Sequence, residues 1–478
     1  MSNSIKGKFV SGVVWSSASR FSTLAIQFLV TLLLARKLTP DDFGTIGLLN
    51  VFLAISQILL DSGFGDAIIQ KESRKQVDYS TVFYINTIIG LTCYIVLYIC
   101  SPLLDEFYRI ENLHEYARIL FLIIPINALG LIQKVQLRQN LAFAKISVIE
   151  ITSALLSGIV GIYMAYYGFG IYAIIVQMLT VNVFRTVLTM VTNKWMPSFV
   201  FSISSVKSMF NFGLNLTLTS LLTVIFNNIY TIIIGRCYDP KNVGYYNQAD
   251  QYERLSANTI TEIVMGVSFP TLVNFKDDLN KLREAYSRII EMVVFIVAPL
   301  MMYLFVVSDD LFIFLLTEKW APASPYFKIL CIYGVTFPLH QINGNILKVL
   351  GEGKKYFYLE LLRRALIVVS ILFTINISIE ALLYGQILSM LIIIVVSMTM
   401  VGRLISYTVL FQIKDVLPYY ICGALSAIIS YWIVTVFCGN HLFNLLVSSF
   451  TMVCTYILFT YLGHLNAVKT LKSIFKIR

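Results

Sequence analysis

Long apolar runs alternate with short polar breaks along this chain, and the runs are continuous rather than alternating residue by residue. About 20 apolar residues cross the roughly 30 Å hydrocarbon layer as an α-helix, whereas the strands of a transmembrane barrel would alternate with period two. Reading runs against charged breaks predicts about fourteen spans, the first over 9–35 and the last over 441–462. The eighth (249–273) and tenth (325–349) begin in polar sequence. Runs five and six part only at Gly168 to Gly170, and thirteen and fourteen at Gly439 and Asn440, which predicts two tight hairpins. Arg20 interrupts the first run, so that run is expected to stay as a helix rather than to be cleaved as a signal.

A second pattern lies over the first. The stretch LLARKLTPDDFGTIGLLN at 33–50 is echoed by IIGRCYDPKNVGYYNQAD at 233–250, with Arg36 and Arg236, Pro40 and Pro240, and Gly44 and Gly244 in register. Upstream, Thr23 aligns with Thr223, Gln27 with Asn227 and Thr31 with Thr231. Self-similarity at a fixed offset argues for duplication. The fold expected is therefore all-α and membrane-integral, about fourteen helices in two pseudo-symmetric six-helix lobes plus two C-terminal helices. The boundaries expected are 1–200, 201–401 and 402–478, the last including a basic tail.

Composition agrees with a bilayer setting: of 478 residues 58% are hydrophobic and only 13% charged, with a mean hydropathy of +0.78. The net charge of +10 changes the picture only through its placement. With the N-terminus in the cytoplasm, most Lys and Arg, among them Lys71, Lys134, Arg138, Lys276, Arg283 and Lys354, fall in the inner loops and tails. Both termini are then cytoplasmic, and the excess charge meets an anionic leaflet rather than nucleic acid. Seven cysteines and four histidines show no ligand spacing, so no metal and no cofactor is expected.

Polar residues inside the runs carry the candidate chemistry. Ser16, Arg20, Thr23, Gln27 and Thr31 form a helical stripe in the first run. A charge at bilayer depth costs about 2.5–3.5 kcal/mol on the lenient insertion scale, so Arg20 should face a bundle interior or watery cavity. Its planar donor fork suits phosphate oxygens, though pairing with a carboxylate or snorkelling to the interface would also satisfy it. In the seventh run Asn211, Asn215, Thr219, Thr223 and Asn227 recur every four residues, lining a hydrated cavity or joining helices, and Asn228 and Arg236 continue that polar surface. Asp61, Asp66, Glu150, Glu262 and Glu291 are candidates to bind a coupling ion or carry a proton, or else to cap helices and neutralise Arg20. Glu253 and Arg254 stand beside Tyr245, Tyr246 and Tyr252, which form an interfacial belt or stack on sugar rings at an outer vestibule. Prolines at 125, 270, 299, 325, 338 and 418 permit kinks. No phosphate loop, nucleophile elbow or paired-acid motif is present, so a transporter is expected rather than an enzyme, driven by an ion or substrate gradient or by a partner.

The stretch GVVWSSASRFSTLAIQFLVTLLLARKLTPDDFG (12–44), then DSGFGDAIIQ (61–70) and VGYYNQADQY (243–252), resembles bacterial polysaccharide flippases of the Wzx type, particularly their colanic-acid branch. The resemblance implies the multidrug/oligosaccharidyl-lipid/polysaccharide exporter fold, with two six-helix lobes in a V. It implies movement of undecaprenyl-pyrophosphate-linked oligosaccharide to the outer leaflet of the inner membrane by alternating access, with membrane lipids and polysaccharide polymerase and export machinery as partners. In such flippases cavity arginines near the first helix meet the pyrophosphate; Arg20 fits that position, and Arg185 and Arg236 fit it less closely. Embedded cations are sparse in the second lobe, where Arg254 or Arg288 would have to serve. Coupling to H+ or Na+ is left open.

Three other readings stand beside this one. A lipid II flippase would share the mechanism with another headgroup. An ion-coupled small-molecule or multidrug exporter would need an apolar pocket instead of the Arg20 stripe. A membrane glycan polymerase or ligase would be expected to carry a sizeable outer loop, which this chain lacks.

Overall fold

The computed structural model describes the backbone of residues 2–61, 65, 68, 74–437 and 439–467; within these, the side chains of 2–14, 16, 17, 205, 208–216, 267 and 437 lie outside the description. In hydrocarbon every backbone N–H and C=O must be satisfied within its own segment, and the apolar runs accordingly fold as helices. In chain order these are α1 (Ser2–Lys37), α2 (Pro40–Asp61), α3 (Gln76–Tyr108), α4 (Leu113–Leu120), α5 (Ile123–Gln139), α6 (Phe143–Tyr166), α7 (Tyr172–Asn193), α8 (Ile203–Asn227) and α9 (Ile229–Cys237). They continue as α10 (Pro240–Glu253), a π-helical turn (Arg254–Asn258), α11 (Thr259–Asn274), α12 (Leu279–Val306), α13 (Ser308–Leu316), α14 (Ser324–Val349), α15 (Gly353–Thr374), α16 (Ile379–Leu404), α17 (Val409–Phe437) and α18 (His441–Leu462).

Among the described residues ten helices are long and apolar enough to cross a membrane, or eleven if the pair Thr217–Asn227 and Ile229–Cys237, bent by 47°, is one span. By that measure the expected fourteen is not reached. The segments that fall short are helical but polar: α14 carries Lys328, His340, Asn343 and Lys348, and α15 carries Lys354, Lys355, Glu360, Arg363 and Arg364. The stretch 249–273 is broken by the π-helical turn.

By its contacts the chain divides into Met1–Gly244 (unit 1) and Tyr245–Arg478 (unit 2). In unit 1, α1 packs on α6, α6 on α7, α7 on α5, α5 on α3 and α2 on α8. With lipid as apolar as leucine, helices associate through close fit, and small residues allow it. A Cβ on Gly158 of α6 would strike Val30 of α1. The expected hairpin between α6 and α7 turns on Gly168 and Gly170, both with positive φ (81° and 54°). In unit 2, α12 packs on α14 and α17, α14 on α16, α16 on α15 and α17 on α18. The second expected hairpin is closed by Asn440, whose Oδ1 accepts from the Phe443 N–H at 2.9 Å at the start of α18.

The repeated stretches adopt the same turn. The Leu38 N–H donates to the Leu34 carbonyl at 2.8 Å, and two hundred residues on the Tyr238 N–H donates to the Ile234 carbonyl at 2.8 Å. The contact between the repeats, within unit 1, is reciprocal. A Cβ on Gly44 would run into the Pro240 carbonyl, and a Cβ on Gly244 into the Pro40 carbonyl. Such mutual exchange of partners is what a local two-fold relation between duplicated elements produces.

Candidate functional site

Unit 1 encloses a polar cavity of about 590 Å3 between α2, α5 and α7. Helical spacing builds it. Asn50, Gln57 and Asp61 come from one face of α2, Asn127, Lys134 and Arg138 from α5, and Asn182, Arg185 and Thr189 from α7. The Arg185 Nε donates to Glu150 Oε2 of α6 at 2.9 Å, and Lys134 Nζ stands 3.6 Å from the other carboxylate oxygen. Arg185 Nη1 also donates to Asn182 Oδ1 at 3.3 Å. Across the cavity Asn127 Nδ2 donates to Gln57 Oε1 at 3.1 Å, and Gln57 Nε2 to Asp61 Oδ1 at 3.3 Å. Among the described residues the wall carries Lys134, Arg138 and Arg185 against Asp61, and Glu150, which does not line the cavity, pairs with Arg185 and Lys134, so cations outnumber anions. An oxyanion and a set of hydroxyls could both be held there, the first by guanidinium and ammonium donors, the second by the amides.

Three residues read from sequence, Arg185, Glu150 and Asp61, are thus brought together. Lys134 and Arg138 were counted with an inner loop, but both stand in α5 and line this cavity. Their spacing from Asn127, seven and eleven residues, is a helical stripe that could have marked them.

The remaining candidates scatter. Arg20 is exposed on α1, as is Gln27, and Thr23 is half-buried with its Oγ1 lacking a hydrogen-bond partner. Asn211 and Asn215 lie in α8 with side chains outside the described residues, and Asp66 lies outside them altogether. Farther along α8, Thr219 and Asn227 are exposed, and the Thr223 hydroxyl donates to the Thr219 carbonyl at 2.9 Å. Arg236 donates to the Phe107 carbonyl at 2.7 Å with its guanidinium 5.1 Å from the Phe107 ring centre, which ties the end of α9 to the end of α3. Arg254 is paired with Asp250 at 2.7 Å, and Glu262 is exposed on α11.

Neither reading of Tyr245, Tyr246 and Tyr252, as an interfacial belt or as sugar-stacking rings, matches their burial, because all three are core residues of unit 2. Tyr245 is buried edge-on to Trp320 with its hydroxyl on the Lys319 carbonyl, and Tyr252 is packed against Phe312 and Phe327. Tyr246 is equally buried.

Unit 2 has a polar cavity of its own, about 760 Å3, lined by Arg283, Ser287, Arg288, Glu291, Tyr407 and Asp415 among others. The Ser287 hydroxyl lies 2.5 Å from Asp415 Oδ2 and 3.4 Å from Glu291 Oε1. Tyr419 donates to Glu291 Oε2 at 3.1 Å, and Tyr407, in the turn between α16 and α17, donates to Asp415. Burial first, and then that bond to Asp415, push the Tyr407 hydroxyl above its ordinary pKa. Glu291 is therefore held by the Tyr419 hydroxyl, while the single Ser287 proton is nearer Asp415.

Comparison with known proteins adds three findings. The family described as polysaccharide biosynthesis protein matches residues 33–325. The teichuronic acid biosynthesis protein TuaB of Bacillus subtilis (strain 168) is 30% identical over 358 residues, 74% of each chain, and the lipopolysaccharide biosynthesis protein WzxC of Escherichia coli (strain K12) is 25% identical over 72% of this chain and 70% of its own. Among solved structures, an inward closed conformation of the lipid II flippase MurJ superposes with a TM-score of 0.74 at 17% identity, covering 95% of this chain and 99% of that one, which shows a shared fold.

Proposed function

Since the chain belongs to the polysaccharide biosynthesis protein family, we propose that it is a flippase that carries undecaprenyl-pyrophosphate-linked oligosaccharide across the bacterial inner membrane for surface polysaccharide assembly. It works by alternating access, with both termini cytoplasmic, and performs no covalent step. The placement of most Lys and Arg in inner loops supports that orientation.

The observation that carries the reading is the excess of cations on the wall of the unit 1 cavity. A pyrophosphate leaving water needs charge-assisted donors, and Lys134, Arg138 and Arg185 supply them from helices rather than from mobile loops. Glu150 acts as the counter-ion that keeps Arg185 and Lys134 in place before substrate arrives. Asn50, Gln57, Asn127 and Asn182 offer donors and acceptors suited to sugar hydroxyls. Arg20 is kept as a second phosphate contact, on the strength of its place in the first helix. Translocation hands the headgroup to a succession of such donors while the lipid tail stays in the bilayer, so the transporter itself needs to form or break no bond.

The test is transfer of a fluorescent lipid-linked oligosaccharide between leaflets of proteoliposomes. Removing a charge-assisted contact costs about 1.5–3 kcal/mol, so Lys134→Ala and Arg138→Ala should each weaken headgroup binding by about tenfold or more. Wild-type affinity and rate in both variants would sink the assignment of this cavity.

A further inference from the structure

Deep in unit 2 stands a carboxyl that neither cavity uses. Glu253, the last residue of α10, is only 2% exposed, and its Oε1 has no hydrogen-bond partner. That oxygen lies against Gly334 of α14: a Cβ there would stand 2.7 Å from Glu253 Oε1, and also 2.8 Å from Met301 Cε and 3.3 Å from Ala257 Cβ. Gly334 thus leaves room for the carboxyl, at a place that a thioether methyl and an alanine methyl also border.

The charged and titratable groups near it are few. Asp250 and Arg254 lie on its own segment and are bound to each other at 2.7 Å. Cys331 and Tyr333 face it from α14. From α12 Met301 borders the same space beside Gly334. An ionised carboxylate at this place would have no donor on Oε1 to replace water, which a neutral carboxyl tolerates better than a charged one. A hard metal cation would need several oxygen ligands, and this wall does not offer them.

A second observation points to exchange rather than to a permanently buried acid. The π-helical turn Arg254–Asn258 begins at the next residue. Such turns insert one residue into the helical ladder and recur at functional sites, because a shift of one residue rotates everything on one side of them. The same turn holds Asn258, whose buried Oδ1 also lacks a partner. Rotation here would carry Glu253 away from Gly334 toward water.

We propose that Glu253 is a proton-binding site of unit 2, neutral while packed on Gly334 and ionised when the π-helical turn shifts, so that proton uptake and release accompany the transport cycle. This rests on the flippase reading only for the word transport; the proton site stands apart from it.

The first test needs no substrate. Infrared titration of the purified full-length protein should show a protonated-carboxyl C=O band, shifted by D2O, which is lost as pH rises and is absent from Glu253→Gln. Gly334→Ala, which presses on Oε1, should move the midpoint of its titration. The same band and titration in wild type and Glu253→Gln would overturn the site; matching thermal unfolding of the near-isosteric variant excludes loss of fold as the cause. The second test is lipid-linked oligosaccharide transfer under an imposed pH gradient. The gradient should change the wild-type rate and leave Glu253→Gln indifferent, and an equal response in both would overturn the coupling. Failure of the wild type to transfer any such lipid would fall on the flippase reading, while the infrared result would still decide Glu253.

Discussion

The cavity of unit 1 and the interior of unit 2 treat charge in opposite ways. In unit 1 the half-buried guanidinium of Arg185 has its carboxylate, Glu150, with Lys134 beside it, and cations are in excess among the described residues. In unit 2 the carboxyl of Glu253 has no donor on Oε1, and Glu291 accepts from the Tyr419 hydroxyl. A paired charge is a fixed charge, ready to meet an anion. A buried acid without a cation partner is one that changes its protonation when its surroundings change. The difference accords with the division of labour proposed above, in which the first recognises the headgroup and the second exchanges a proton.

Both interiors are carried by a chain that repeats itself, and the largest expected effect comes from the point where the repeats touch. Gly44→Ala and Gly244→Ala each drive a Cβ into a backbone carbonyl, which cannot move aside as a side chain would. Each should destabilise the protein at or above the top of the ~1–3 kcal/mol overpacking range, and by similar amounts because the contact is reciprocal. Thermal unfolding in detergent checks this; unchanged melting in either variant would break the two-fold reading.

Next in size is Tyr419→Phe. It deletes the donor to Glu291 Oε2 and the acceptor for the Ala467 N–H, both at 3.1 Å, and should cost about 2 kcal/mol. A much smaller loss would mean that Glu291 does not depend on hydroxyl partners and would weaken the contrast with Glu150.

The smallest effect is at the surface. Asp278 caps α12, and its bond to the Lys281 side chain, followed by the Lys281 N–H, holds its carboxyl below the usual aspartate range. A depressed pKa stabilises above the unfolded value, about 3.9, and the gain fades as pH falls through the folded value. Asp278→Asn should therefore slightly lower stability at neutral pH and leave it unchanged below the folded pKa, so that the acid side of a stability-against-pH curve becomes flatter.

What the sequence disclosed and what it hid have physical causes. Hairpins at Gly168 to Gly170 and at Asn440 were legible because turn chemistry is local. The matching turns after Leu34 and Ile234 were legible because their residues stand in register two hundred positions apart. Fourteen spans were not established, since α14 and α15 spend apolar positions on His340, Asn343, Glu360 and Arg363, where His340 Nε2 meets Glu360 at 3.2 Å and Arg363 meets it at 2.8 Å. Lys134 and Arg138 were hidden because counting basic residues by loop assigns them a side of the membrane before asking which face of a helix they occupy. Glu253 was passed over as an ion candidate because its isolation depends on Gly334, eighty-one residues later, and no spacing rule links the two.

The measurement that bears most directly on the account is lipid-linked oligosaccharide transfer by the double variant Arg185→Leu/Glu150→Leu. Removing both members of the pair leaves neither of them as a lone charge, and Lys134, which loses its partner at 3.6 Å, is 39% exposed and keeps contact with water, so the protein should fold with near wild-type stability. If Arg185 meets the pyrophosphate, transfer by this well-folded variant falls by about tenfold or more. Transfer at the wild-type rate would show that Arg185 does no more than neutralise Glu150, and would contradict headgroup recognition by Arg185 in unit 1.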